Sequence, residues 1–268
     1  NVGNVTDMTS IFSGSSISDG NYTIFLTIAA STCVEGTDCG GSNINIGTTP
    51  ASYLPIASSA QATLDALGWT IADSGLNNDF ISVWQTSGAN DTITIPTVEG
   101  EMLTYKYNID WGDTNDTNDD GLIESDTGPT HTYSAEGEYT ITISIADVES
   151  GAFPRIKCFG ADDADKLESI PNLGAVGWTS FYESFYGCSN LDKIYGGDLS
   201  NVTNTFRMFI FSSADPDTSG WNVSNVTDMS QMFRGADIAN PNTSNWNVSS
   251  VEDMSYMFQA TDAANPDV

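Results

Sequence analysis

Basic residues are nearly missing from this sequence: 7 Lys and Arg stand against 36 Asp and Glu, a formal net charge of −29. Gripping a phosphate backbone takes clusters of Lys and Arg, so nucleic acid is excluded as a partner and anionic membrane surfaces are disfavoured. Histidine is almost absent too, with His131 alone. None of the four cysteines has the C-x2-C spacing of a zinc site, which with a single imidazole argues against structural zinc. No apolar run reaches the roughly 18 residues that a membrane span needs, and no signal-peptide pattern is visible. There is no G-x-S-x-G, and a triad needs its nucleophile placed beside its base. Carboxylate pairs of the glycosidase kind arise by chance among 36 acidic residues, so the chain is not expected to be an enzyme. In a THTY strand, His131 reads as a structural residue rather than a catalytic base.

What is present is apolar and aromatic. Hydrophobic residues make up 39% of 268, with 12 Phe, 10 Tyr and 6 Trp, enough to bury a core. The surplus of acid reads as a solvated surface suited to salty surroundings, and it also favours cation binding. An even cysteine count on a Thr/Ser/Asn-rich chain predicts disulfides and an oxidising, extracellular setting. Cys33 and Cys39 share a short loop and are the first expected pair; Cys158–Cys188 follows by elimination.

Repeats dominate the C-terminal third. DLSNVTNTFRMF (198–209), NVSNVTDMSQMF (222–233) and NVSSVEDMSYMF (247–258) align, so Phe209, Phe233 and Phe258 lie 24 and 25 residues apart. Trp221 and Trp246 keep the same spacing, Phe185 closes a degenerate earlier copy, and Val5, Met8 and Phe12 mark another at 1–14. A period of 20–29 residues is the signature of a leucine-rich-repeat-like solenoid, whose coils bury their apolar faces only by stacking. The expected repeat core is Val202, Met208, Phe209, Val226, Met229, Met232, Phe233, Val251, Met254, Met257 and Phe258, with Val5, Met8 and Phe12. V-x-x-V is expected to form a strand-like edge and D-M-S-x-M-F a helical or 3₁₀ turn. Asp7, Asp228 and Asp253 hold equivalent places, as solvated caps in preference to a shared cation site, and Asn201 and Asn225 are placed to bond between turns. Joining DAANPDV to NVGNVTDMTSIF almost regenerates a repeat. The expectation is therefore one period of a longer array, or copies stacking head to tail.

Residues 15–76 read as an end or cap segment with a short helix through Ala60, Leu64, Leu67 and Trp69. Residues 77–152 hold period-2 runs, among them FISVWQT (80–86), TITIPT (92–97), LTYKYNIDW (103–111) and GEYTITISI (137–145), with FPRIK (153–157) just beyond. Such short strands with turn signals predict a small antiparallel β-sandwich. Between them, DTNDTNDDGLIESD (113–126) offers Asp113, Asp116, Asn118, Asp120, Glu124 and Asp126 around Gly121. That is the oxygen spacing of a Ca2+ loop, although Thr127 stands where the bidentate Glu belongs. Calcium is favoured over a plain acidic hairpin loop, and both readings stay open.

These residues carry a resemblance. NVSNVTDMSQMF, NVSSVEDMSYMF and NVTDMTSIF resemble the repeats of BspA-like bacterial surface proteins; YNIDWGD and THTYSAEGEYTITIS resemble a PKD (polycystic-kidney-disease-type) domain. The expected fold is mixed: leucine-rich-repeat-like solenoid segments at both ends (1–14 with its cap, and 153–268) flanking a PKD-like antiparallel β-sandwich. The resemblance implies an extracellular, surface-anchored role in adhesion or filament building. Partners are expected to be copies of the chain or adjoining repeats, end to end. Surface glycans or matrix proteins are the alternative; Trp84, Trp178, Tyr182 and Tyr186 are candidate sugar platforms, although core packing is the commoner fate of such rings.

Overall fold

The computed structural model describes residues 45–48, 64, 70–72, 78–99, 105–113, 121–125, 127–145 and 152–264. The chain divides into two compact units, 1–78 and 79–268. In the first, β1 (Asn45–Thr48) and β2 (Thr70–Ala72) pair in parallel. Leu64, inside the expected cap helix, has helical backbone and is buried. The opening repeat with Val5, Asp7, Met8 and Phe12, and Cys33 and Cys39, lie outside the described residues.

The second unit is built on β3 (Phe80–Thr86), β4 (Asp91–Thr94), β5 (Tyr107–Asp110), β6 (Gly121–Ile123), β7 (Thr130–Tyr133), β8 (Gly137–Ile145), β9 (Leu167–Asn172), β10 (Lys193–Ile194) and β11 (Asp215–Pro216). Strict alternation makes β3 a strand: Phe80, Ser82, Trp84 and Thr86 are buried and their neighbours half-buried. Its buried polar groups are satisfied, because Trp84 Nε1 donates to Ser82 Oγ at 2.8 Å and Thr86 Oγ1 donates to the Ala135 carbonyl at 3.1 Å. One seven-stranded sheet runs β11-β10-β9-β3-β8-β5-β6, while β4 and β7 form a separate antiparallel pair. Gly112 makes the approach of β5 to β8 possible: its φ is +73°, and a Cβ there would sit 2.1 Å from the Thr140 carbonyl oxygen.

The fold class read from the sequence is corrected here. Among the described residues of the second unit no α-helix occurs, and helical geometry is confined to a 3₁₀ turn at Ala164–Lys166. The described residues of the unit are all-β, and a two-sheet sandwich arrangement is compatible with strands 80–145. Among those residues the strand-plus-helix coil of a leucine-rich-repeat-like solenoid does not form, and no separate flanking segment follows the sandwich. Instead β3 pairs with β8 on one side and β9 on the other, and β10 and β11 extend the same sheet in parallel. FPRIK contributes an isolated bridge, Thr97 to Ile156, and no strand.

The local expectations fail for a physical reason. V-x-x-V closes a turn and not a strand: Val202, Val226 and Val251 donate to the carbonyls three residues back. D-M-S-x-M-F makes a run of overlapping turns and not a helix, with Arg234 N–H donating to Gln231 between the two described next. Met232 N–H donates to Met229 and Ala236 N–H to Phe233, with Gln231 at φ +56° and Gly235 at φ +66° in the third position of each. Positive φ at that position alone is the pattern of a type II turn, and it forbids helical continuation. The 24–25-residue segments therefore stack as turn-rich rungs. Phe185, Phe209 and Phe233 each donate their N–H to the next rung, to Met208, Met232 and Met257, at 2.8–2.9 Å.

Candidate functional site

The repeat interior is a ladder of rings. Phe185, Phe209, Phe233 and Phe258 stack with centroids 5.6, 5.3 and 5.5 Å apart. Val202, Met208, Val226, Met229 and Met232 are buried with them, and Met257 nearly so. Met254 departs from the expected core: it is 41% exposed, and Val251 and Phe258 are only partly buried. The tryptophans tie rungs together, Trp221 Nε1 donating to Gly196 at 2.8 Å and Trp246 Nε1 to Thr218 at 3.3 Å. Asn225 donates to the Ser200 carbonyl of the preceding rung at 2.6 Å.

Asp228 and Asp253 are turn caps. Ser230 donates its N–H and Oγ–H to Asp228 Oδ1 at 2.9 and 2.6 Å, and Ser255 N–H donates to Asp253 Oδ1 at 2.7 Å. The Ser255 backbone bond holds the Asp253 carboxyl below its ordinary range. Cys158 and Cys188 form a disulfide with Cα atoms 6.0 Å apart, clamping the entry of the stack to its first rung.

Of the six candidate Ca2+ ligands, Asp116, Asn118, Asp120 and Asp126 lie outside the described residues. The other two have protein partners. Asp113 Oδ2 lies 3.2 Å from His131 Nε2, and Glu124 is 3.6 Å from Lys106 Nζ. Among the described residues no group of three His, Cys, Asp or Glu converges as a metal site. His131 is buried, stacked on Trp111 at 5.2 Å and edge-on to Tyr133 at 4.6 Å. Tyr133 Oη donates to the Trp111 carbonyl at 2.9 Å. The W-G-D and H-x-Y residues thus form one packed polar knot. Among the candidate sugar platforms Trp84 and Trp178 are buried, while Tyr182 is exposed and Tyr186 half-buried.

Reading the sequence missed a surface. Lys157 Nζ is 3.1 Å from Glu183, Arg207 reaches Glu183 at 3.5 Å and Gln231 at 3.3 Å, and Arg234 donates to Gln231 at 3.0 Å. Arg155 donates to the Tyr182 carbonyl and lies 5.6 Å from that ring's centroid. The only prior signal was the 24-residue spacing of Glu183, Arg207 and Gln231, which puts them in one column.

Residues 179–268 match the family described as "Mycoplasma protein of unknown function, DUF285". That match spans the rungs from Phe181 onward. No curated protein and no solved structure matches the chain. Among the described residues no helix is long and apolar enough to cross a membrane.

Proposed function

We propose that the chain is a structural module of a repetitive extracellular surface filament or giant adhesin, in which copies or adjoining repeats join edge to edge. One observation carries this reading. Val223 and Met229 are buried in their rung, yet their counterparts one rung on, Val248 and Met254, are each 41% exposed, and Tyr256 beside them is 62% exposed. Rungs of this stack are dried by their neighbours, so an apolar rung edge is a surface made for another rung. The disulfide suits an oxidising compartment, and the resemblance of the repeats to BspA-like proteins supports a place on the cell surface. The reading includes no catalysis.

Sedimentation velocity across a concentration series tests it. Concentration-dependent oligomers are expected for the native chain, and loss of them in Met254→Asp/Tyr256→Asp, whose side chains are exposed and whose replacement spares the core. A native chain that stays monomeric throughout would sink the assembly reading.

A further inference from the structure

The few cations of this acidic chain are not spread evenly. Four of the seven, Arg155, Lys157, Arg207 and Arg234, fall on one face of the rungs, joined by the contacts through Tyr182, Glu183 and Gln231 described above. Within that network Glu183 is the one carboxylate, so four positive groups face a single negative one. Two files of aromatic rings run beside them. Tyr182 stacks on Phe206 at 5.2 Å, with the Arg207 guanidinium 4.7 Å from the Phe206 centroid; Phe159 stacks on Tyr186 at 4.2 Å, and Phe211 follows at 6.3 Å. Phe159 and Phe211 are each 56% exposed and Tyr182 is 39% exposed. These exposed rings flank the cations with aromatic surface.

We propose that this stripe binds a linear carboxylated polysaccharide lying along the stacking direction. Cationic groups select anionic oxygen, and the rest of so acidic a surface repels it. Arg155 and Lys157 lie at the rung of Tyr182 and Glu183, Arg207 on the next and Arg234 on the one after, linked through Glu183 and Gln231, so the cations are carried from rung to rung, and strands paired in this way lie about 4.8 Å apart. A polymer bearing a carboxylate on each sugar presents a matching line, which a folded acidic protein does not. At physiological salt the long-range repulsion between this acidic surface and a polyanion is screened beyond about 8 Å, whereas ion pairs in contact are screened much less.

The proposal stands apart from edge-to-edge assembly, since it uses neither Met254 nor Tyr256, and either idea can fail alone. The test is affinity chromatography of the full chain on immobilised polygalacturonate, with neutral dextran as control, at physiological salt. Retention on polygalacturonate only is expected. Affinity should fall at least tenfold in Arg155→Gln/Arg234→Gln, and by a smaller factor in Arg234→Gln alone, each at unchanged Tm. No retention, equal retention on dextran, or variants of matched Tm that bind like the native chain would overturn it. So would self-association that the double variant abolishes, which would give the stripe to a second copy.

Discussion

Phe209 sits between two other phenylalanines, with Phe185 at 5.6 Å on one side and Phe233 at 5.3 Å on the other, and Trp221 at 6.3 Å. Removing its ring leaves a cavity walled by stacked rungs that cannot close without breaking their backbone bonds. Phe209→Ala is therefore expected to cost about 3–5 kcal/mol, the range for a buried Phe. Phe258 stacks on Phe233 but is only partly buried, so Phe258→Ala should cost clearly less. Urea denaturation of both variants checks this, and equal losses would mean that stacking along the ladder is not what stabilises it. Backbone conformation at this scale was invisible in the sequence. Glu183, Arg207, Gln231 and Tyr256 all take φ of +54° to +58°, a region that ordinarily selects glycine. Nothing in their side chains announces it; the bonds between rungs impose it.

At the scale of elements, local pattern was legible and pairing was not. FISVWQT and GEYTITISI coincide with β3 and β8 because each alternates with period 2. The repeat period was equally plain, since it depends only on which residues recur. The course of D-M-S-x-M-F was not, because a run of Met and Ser suits a helical turn locally and the Asp cap that redirects it acts through backbone bonds two residues on. The Asp113–His131 contact joins residues 18 apart, and no spacing rule marks it. One contact between elements gives a pH signature. Lys166, in the 3₁₀ turn before β9, holds Asp91 at the start of β4 at 2.7 Å and Asp163 at 2.8 Å. Burial works against the Lys166 ammonium, but the two carboxylates outweigh it and raise its pKa. The Lys166 hydrogen bond, with help from Ser87 N–H, holds the Asp91 carboxyl well below the usual carboxylate range. A depressed folded pKa stabilises above the unfolded value of about 3.9 and loses that contribution as pH falls through the folded one. The Tm gap between the native chain and Asp91→Asn is thus expected to be full at neutral pH and to shrink below about pH 4. A gap of constant size from pH 7 to pH 2 would show that the pair contributes nothing through charge.

For the second unit as a whole, the decisive feature is that β3 has two masters. It pairs along its length with β8, the long strand that also pairs with β5, and with β9, which opens the stack of rungs. The side chains around it confirm the sharing: Phe80 packs on Phe153 and Trp178, each with centroids 5.8 Å away, and Trp178 leads at 5.0 Å to Phe181, within the first rung. One apolar cluster accordingly runs from Phe80 to Met257. Two domains with separate cores would open independently, whereas a shared strand makes loss of either partner expose the other's edge and its apolar face. Hydrogen exchange of the full chain reads this directly. Peptides from β8 and peptides covering 205–236 should lose protection together as denaturant is raised, and Phe80→Ala should lower both by the same amount. If the β8 amides open at lower denaturant while the rungs stay protected, the sheet is continuous in geometry but not in energy, and the two parts fold as neighbours rather than as one.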